Sequence, residues 1–128
     1  MAKLTKGVHH ICIKAAGAEG FEKAVHFYRD ILGMEPVVSW NDGKAIMLDI
    51  GGGSRMEIFD NAEDKPGQGD IRHFALDVND VDACVKAVSE AGYEVFVEPK
   101  DVSLGDMPAR IAFCYGPVGE EIEFFCVK

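Results

Sequence analysis

Hydrophobic and polar positions alternate over residues 7–14 in a run rich in β-branched side chains, which predicts a strand. Over 20–32 the spacing changes: Phe21, Val25, Tyr28 and Leu32 fall on one helical face, and Gly33 stands where a helix would stop. Three short strands follow at about 35–40, 44–50 and 54–60. They are separated by Asn41-Asp42-Gly43, whose Asp-Gly pair signals a hairpin, and by Gly51-Gly52-Gly53. The stretch from Asp60 to Asp70 holds Pro66, Gly67 and Gly69 without apolar periodicity and reads as a linker. Beyond it the order repeats. A strand over 71–78 leads to a helix over about 80–91, with Asn79 or Asp80 as N-cap, a stripe of Val81, Val85, Val88 and Ala91, and Gly92 as its end. Strands are then expected near 93–97, 110–115 and 121–127. The intervening 98–109, with Pro99, Gly105 and Pro108, is expected to be an irregular surface loop or a lid.

The pattern therefore describes two tandem β-α-β-β-β modules in one domain, module one over about 7–60, a linker over about 61–70 and module two over about 71–128. The repeat extends to chemistry. His10 opens His10-Ile11-Cys12-Ile13, and His73 opens His73-Phe74-Ala75-Leu76 sixty-three positions later. Glu57 follows Gly53 by four residues, and Glu123 follows Gly119 by four.

Side chains alternate across a strand, so each of these residues can be assigned a face. His10 goes with Val8, Cys12 and Lys14; His73 goes with Ile71, Ala75 and Asp77. Glu57 goes with Arg55 and Phe59; Glu123 goes with Glu121 and Phe125. The opposite face is apolar in all four strands and suits packing under a helix, so His and Glu are expected on the concave side of a curved sheet. Two imidazoles and two carboxylates at matching places in two copies point to a metal site. The same alternation puts His9 with Ile11 and Ile13 on the helix-packed side and excludes it as a ligand. His26 lies between the apolar positions of the first helix and is expected to be exposed.

Composition narrows the function. At 128 residues, 48% hydrophobic and 27% charged, the chain fits an ordinary globular domain. Thirteen basic against twenty-two acidic residues give a net charge of -9, which repels nucleic acid and acidic membrane surfaces. The first residues lack a signal-peptide apolar core, and no apolar run approaches the roughly 20 residues of a membrane span. The expectation is a cytoplasmic protein. Cys12, Cys84, Cys114 and Cys126 are widely spaced without a CxxC pair and read as free, mostly buried thiols. Cys12 shares a face with His10, although no further feature supports a nucleophile there.

Several segments resemble the vicinal oxygen chelate superfamily, which includes glyoxalase I, methylmalonyl-CoA epimerase, extradiol dioxygenases and antibiotic-resistance proteins. They are Val8-His9-His10-Ile11-Cys12-Ile13, Phe27-Tyr28-Arg29-Asp30-Ile31-Leu32-Gly33-Met34, Met56-Glu57-Ile58-Phe59, Arg72-His73-Phe74-Ala75-Leu76-Asp77-Val78, and Gly116-Pro117-Val118-Gly119 leading to Ile122-Glu123-Phe124. The resemblance implies an α+β fold, two modules forming a curved mixed sheet around a metal site. It also implies the ligand set His10, Glu57, His73 and Glu123, the four reached by strand parity, and this set is similar to that of glyoxalase I. The epimerase usually has Gln where Glu57 stands. Lys14 occupies the place where related glyoxalases can carry an Arg that holds the glutathione carboxylate. Gly116-Pro117-Val118-Gly119 replaces the common Asp-Pro-Asp-Gly turn, so the thiol is left open.

Such a set suits one divalent transition metal, Zn, Ni, Co, Mn or Fe. The chemistry implied is Lewis-acid assistance to proton transfer α to a carbonyl of a small metabolite, such as a hemithioacetal formed with a thiol cosubstrate. Glu123 is the first candidate for the base and Glu57 the second. Lys14 is the candidate for holding a substrate anion, beside the plainer reading of a solvated strand-end lysine. The rival enzymes are an Fe(II) dioxygenase, against which a fourth protein ligand argues, and a thiol transferase acting on an antibiotic. A non-catalytic drug-binding protein of the bleomycin-resistance type, with a cavity lined by Trp40, Phe59 and Phe113, is the rival outside catalysis. A homodimer is expected, with the modules pairing within one chain or across the dimer.

Overall fold

Ile11 and Ile13 lie on one face of strand β1, His10–Lys14, while His10, Cys12 and Lys14 lie on the other. Ile13 is buried and the three polar-face residues are exposed, so the alternation read from the sequence sets which face is covered. The computed structural model describes residues 3, 4, 6–63, 69 and 71–128. Within the linker proposed over 61–70, residues 64–68 and 70 lie outside the described residues. The chain divides into two compact units, Met1–Asp64 and Lys65–Lys128.

In the first unit β1 leads to helix α1, Gly17–Val25, and then to β2, Glu35–Trp40, β3, Ala45–Gly51, and β4, Ser54–Phe59. The sheet order is β1-β4-β3-β2, with β1 parallel to β4 and the other pairs antiparallel. Leu48 and Met56 are register partners, and together with Ile58 they are fully buried on the face that α1 packs against. The turn after β2 needs left-handed backbone at Asn41, Asp42 and Gly43. Asn and Asp are the side chains that tolerate this conformation best after glycine, so the hairpin signal is explained.

Two details of this unit differ from the pattern. Helix α1 begins at Gly17 rather than at 20, and its first residues, Gly17, Ala18 and Glu19, display no apolar periodicity from which that start could be read. His26–Ile31 continues it as a π-helix, with Leu32 N–H donating to Phe27 O at 3.0 Å. The wider turn lets the sequence neighbours Phe27 and Tyr28 both reach the core, where both are fully buried. His26 is exposed, as expected, and lies 2.9 Å from Asp30. Arg29, and then His26, hold the Asp30 carboxyl well below the ordinary carboxylate range.

The second unit repeats the order with β5, Phe74–Asp77, helix α2, Val81–Glu90, β6, Val95–Leu104, β7, Met107–Tyr115, and β8, Glu121–Val127. Its sheet order is β5-β8-β7-β6, again with one parallel pair, β5 with β8. Asp80 is the N-cap of α2, its carboxylate accepting from Ala83 N–H at 3.0 Å. Val81, Val85 and Val88 are buried, and α2 packs on β6, β7 and β8. The α+β architecture is thus two four-stranded mixed sheets with few helices. No helix among the described residues is long and apolar enough to cross a membrane.

The loop or lid expected over 98–109 is a correction. Those residues form a β6–β7 hairpin whose strands meet at the Leu104–Met107 pair around the turn Gly105-Asp106. Register shifts between Val95 and Val97 and between Val97 and Lys100 break the alternation, which hid the strand. Pro99 is accommodated because β6 is an edge strand, and Pro108 because it is the second residue of β7.

An exposed charge network joins α2 to this hairpin. Arg110 donates to both carboxylate oxygens of Asp82, at 2.7 and 2.9 Å, and to Asp101 at 3.0 Å; Lys128 meets Asp101 at 2.9 Å. Asp82 is held below the ordinary carboxylate range by Arg110, and Asp101 by Lys128 and then Arg110. Because the folded carboxyls are the stronger acids, the stabilisation is present above the unfolded pKa of about 4 and is lost as pH falls through the folded values. Arg110→Ala is expected to lower the urea midpoint modestly at pH 7, with the gap to wild type closing below about pH 4. A gap of constant size from pH 7 to strong acid would refute the linkage.

Strand parity is tested on β8. Phe124 is fully buried and its neighbour Phe125 only half-buried. Phe124→Ala is expected to cost about 3–5 kcal/mol in equilibrium unfolding, and Phe125→Ala clearly less. Equal losses would contradict the assigned faces.

Candidate metal centre

Parallel pairing of β1 with β4 brings two polar side chains together on the face of the first sheet that α1 leaves open. Cys12 is the register partner of Glu57, and His10 is the partner of Arg55. From this offset the His10 ring reaches Glu57, with Nε2 lying 3.6 Å from Oε1. The second unit repeats the arrangement through β5 and β8. Ala75 is the register partner of Glu123, and His73 Nε2 lies 3.2 Å from Glu123 Oε1.

The pairs match in exposure as well as in distance. The His10 and Glu57 side chains are 40% and 14% exposed, and those of His73 and Glu123 are 39% and 13%. In each unit an accessible imidazole therefore sits over a mostly covered carboxylate. Among the described residues no group of three or more His, Cys, Asp and Glu side chains is gathered as a metal site, so each unit presents a pair.

The spacing of the two donors within each pair suits a divalent cation. Two ligand atoms each about 2.1 Å from one ion are about 3.0 Å apart at an octahedral right angle and about 3.4 Å apart at a tetrahedral angle. The observed 3.6 and 3.2 Å lie close to that range. Each pair joins an imidazole nitrogen to a carboxylate oxygen, donor types that suit a borderline divalent ion.

Cys12 sits beside the first pair. Its thiol is pushed up first by burial and then by the hydrogen bond and negative charge of Glu57, against a smaller opposing pull from Lys14. A thiol held protonated in this way is a poor nucleophile. All four cysteines are free, but only Cys114 is buried, its thiol pushed up to about 12 by burial. The expectation of mostly buried thiols is corrected: Cys12 is exposed on the open face, while Cys84 and Cys126 are half-buried. Lys14 is exposed at the end of β1 on the His10 face.

The aromatic residues divide between the units. Trp40 and Phe59 meet edge to face in the first, with centroids 5.8 Å apart. In the second, Phe113 is the register partner of Glu123 and stands edge-on to His73 at 5.1 Å. Phe113 also contacts Phe96, which stacks on Tyr115 at 4.3 Å. Alternation along β7 and β8 could have found the neighbours of Glu123, but Phe96 lies beside a bulge where alternation gives no guide.

His9 departs from its expected place. It precedes β1 and is exposed rather than packed under the helix, although His73, which likewise precedes β5, does lie on the face that parity gave it. Its Nδ1 lies 3.0 Å from the Nδ1 of His10, and the two rings stand edge to face with centroids 5.2 Å apart.

Comparison with known proteins bears on the whole chain. The family model of the glyoxalase/bleomycin resistance protein/dioxygenase superfamily matches residues 7–124. Among solved structures, a glyoxalase/dioxygenase from Nostoc punctiforme is similar with a TM-score of 0.79 at 21% identity, covering 96% of this chain and 92% of that one. A glyoxalase/bleomycin resistance protein/dioxygenase from Alicyclobacillus acidocaldarius has a TM-score of 0.68 at 21% identity, covering 94% and 91%. A lactoylglutathione lyase from Agrobacterium tumefaciens has a TM-score of 0.66 at 20% identity, covering 95% and 94%. No protein of curated function matches the chain. At these identities the structures establish a shared fold. The family match over nearly the full length goes further: this chain belongs to the glyoxalase/bleomycin resistance protein/dioxygenase superfamily, the vicinal oxygen chelate proteins.

Proposed function

We propose that the chain is a metal-dependent enzyme of the glyoxalase type, a lyase or isomerase that moves a proton α to a carbonyl of a small metabolite such as a hemithioacetal. The observation that carries this reading is the twofold recurrence of one His–Glu pair, at 3.6 and 3.2 Å, on the open face of each sheet. In it, His10, Glu57, His73 and Glu123 together hold one divalent ion, the two modules acting as one domain in a homodimer. The bound ion would supply Lewis-acid polarisation of neighbouring substrate oxygens.

The chain's own residues would move the proton. Glu123 is the first choice for a carboxylate that takes a proton from one carbon and returns it to the next, and Glu57 is the second. The transfer leaves the carbon skeleton without net oxidation, so no further redox partner is required. Glu123 is the better choice because Ala75 opposite it offers no hydrogen bond, whereas Glu57 is engaged by the Cys12 thiol. Lys14, at the exposed end of β1, would receive an anionic group of the substrate. One solved structure of similar fold is named a lactoylglutathione lyase, which motivates this choice of chemistry, and a thiol cosubstrate would supply the hemithioacetal.

Metal content of purified, untagged protein tests the proposal, with wild type beside Glu123→Gln and His73→Ala. The expected result is about one transition-metal ion per chain, clearly reduced in both variants. Chelator should lower the melting temperature of wild type by several degrees, since a ligand bound only to the folded state stabilises it by mass action. Hemithioacetals and acyl thioesters would then be screened for turnover. Metal-free wild type, or metal content indifferent to both substitutions, would sink the enzyme reading and favour a non-catalytic binding protein.

A further inference from the structure

The contact between His9 and His10 fixes more than a position. Two imidazole nitrogens 3.0 Å apart share one hydrogen, so one ring donates and the other accepts. The backbone holds His9 in place for this role, because its carbonyl accepts from Arg55 N–H at 3.0 Å, on the strand that carries Glu57. With the hydrogen on His10 Nδ1, its Nε2 offers a lone pair on the side of Glu57. With the hydrogen on His9 instead, His10 would carry its own hydrogen on Nε2, directed at a carboxylate oxygen 3.6 Å away, which is beyond hydrogen-bond reach. Both arrangements satisfy the hydrogen between the two Nδ1 atoms; only the first leaves Nε2 free to ligate, while the second leaves its Nε2 hydrogen without a partner in reach.

We infer that His9 is a positioning residue, whose Nδ1 accepts a hydrogen bond from His10 Nδ1–H and thereby presents His10 Nε2 toward the position a cation would take beside Glu57. This rests on the reading of His10 as a metal ligand, and it extends that reading to a residue outside the ligand set. A metal-binding imidazole needs its second nitrogen anchored, or the ring turns and the hydrogen migrates to the ligating atom. The second module anchors its histidine differently. Arg72 stands at the place of His9 and has no acceptor to offer, while the His73 ring lies edge-on against Phe113, interplanar angle 85°. Loss of His9 should therefore affect one half of the metal centre and leave the other intact.

The test compares wild type, His9→Phe, which keeps a ring but no acceptor, and His9→Asn, whose side-chain carbonyl can accept. Long-range nitrogen–proton NMR on metal-free protein at pH 8 reads which ring nitrogen of His10 carries the hydrogen. Titration with Co²⁺, followed by its visible absorption, reads affinity. Wild type is expected to show His10 as the Nδ1–H form. His9→Phe should shift it toward Nε2–H and weaken Co²⁺ binding about 10- to 100-fold. His9→Asn should recover most of both, and the His73 signals should be unchanged throughout. An Nε2–H form of His10 in wild type, or a His9→Phe variant with unaltered tautomer and affinity, would overturn the inference. If wild type binds no Co²⁺ while His10 still changes form in His9→Phe, the hydrogen-bond assignment stands and the metal reading of the site is the part that fails.

Discussion

Covering one face of each sheet with its own helix is the constraint on which the rest of the structure depends. A strand has two faces and a repeat of two residues, so once Ile13, Met56, Ile58 and Leu48 are committed to the helix side, the intervening residues have only the open side left. The same holds for Leu76, Ile122, Phe124, Ala112 and Cys114 in the second unit. His10 and Glu57, or His73 and Glu123, are brought together because their neighbours in sequence must be buried. A slip of one residue in any of these strands would exchange a core side chain for a candidate ligand. The energy that holds the fold is therefore also what places the chemistry.

Parallel pairing adds the second condition. In each unit the first and last strands run side by side in the same direction, β1 with β4 and β5 with β8, and the remaining pairs are antiparallel. A parallel partner requires a long crossover, and α1 or α2 with the two following strands supplies it. The connection joins residues far apart in sequence at short range, so a His near the start of a module meets a Glu near its end.

Much of this was legible because it depends on local periodicity. The alternation over 10–14, 54–59, 74–77 and 121–127 needs only apolar side chains at every second place, and Gly33, Asp80 and Gly92 mark boundaries by well-understood backbone chemistry. Several of the failures come from a break in the period. Bulges in β6 shift the faces around Pro99, so a ten-residue strand resembled a loop. The π-helical turn at His26–Ile31 changes the angular step and buries Phe27 beside Tyr28. His9 precedes the strand proper, and although its carbonyl still accepts from Arg55 N–H, its side chain lies exposed beside His10 rather than under the helix where parity put it. Ring contacts such as Phe113 with His73 depend on cross-strand register, which a single strand does not display.

Comparing the modules with each other separates what the arrangement requires from what it tolerates. On the open faces His10 matches His73, Glu57 matches Glu123 and Phe59 matches Phe125. The positions around them do not match. Cys12 has Ala75 as its counterpart, Lys14 has Asp77, Arg55 has Glu121, and Met47 opposite Glu57 has Phe113 as the equivalent opposite Glu123. The first module surrounds its pair with cations and a thiol, the second with acidic and aromatic side chains. A purely structural repeat would have no reason to keep the polar His and Glu while exchanging their surroundings, since an exposed imidazole contributes little to folding. A ligand-binding repeat would, because an ion beside such a pair demands an imidazole nitrogen and a carboxylate oxygen, while the residues around the pair are free to differ.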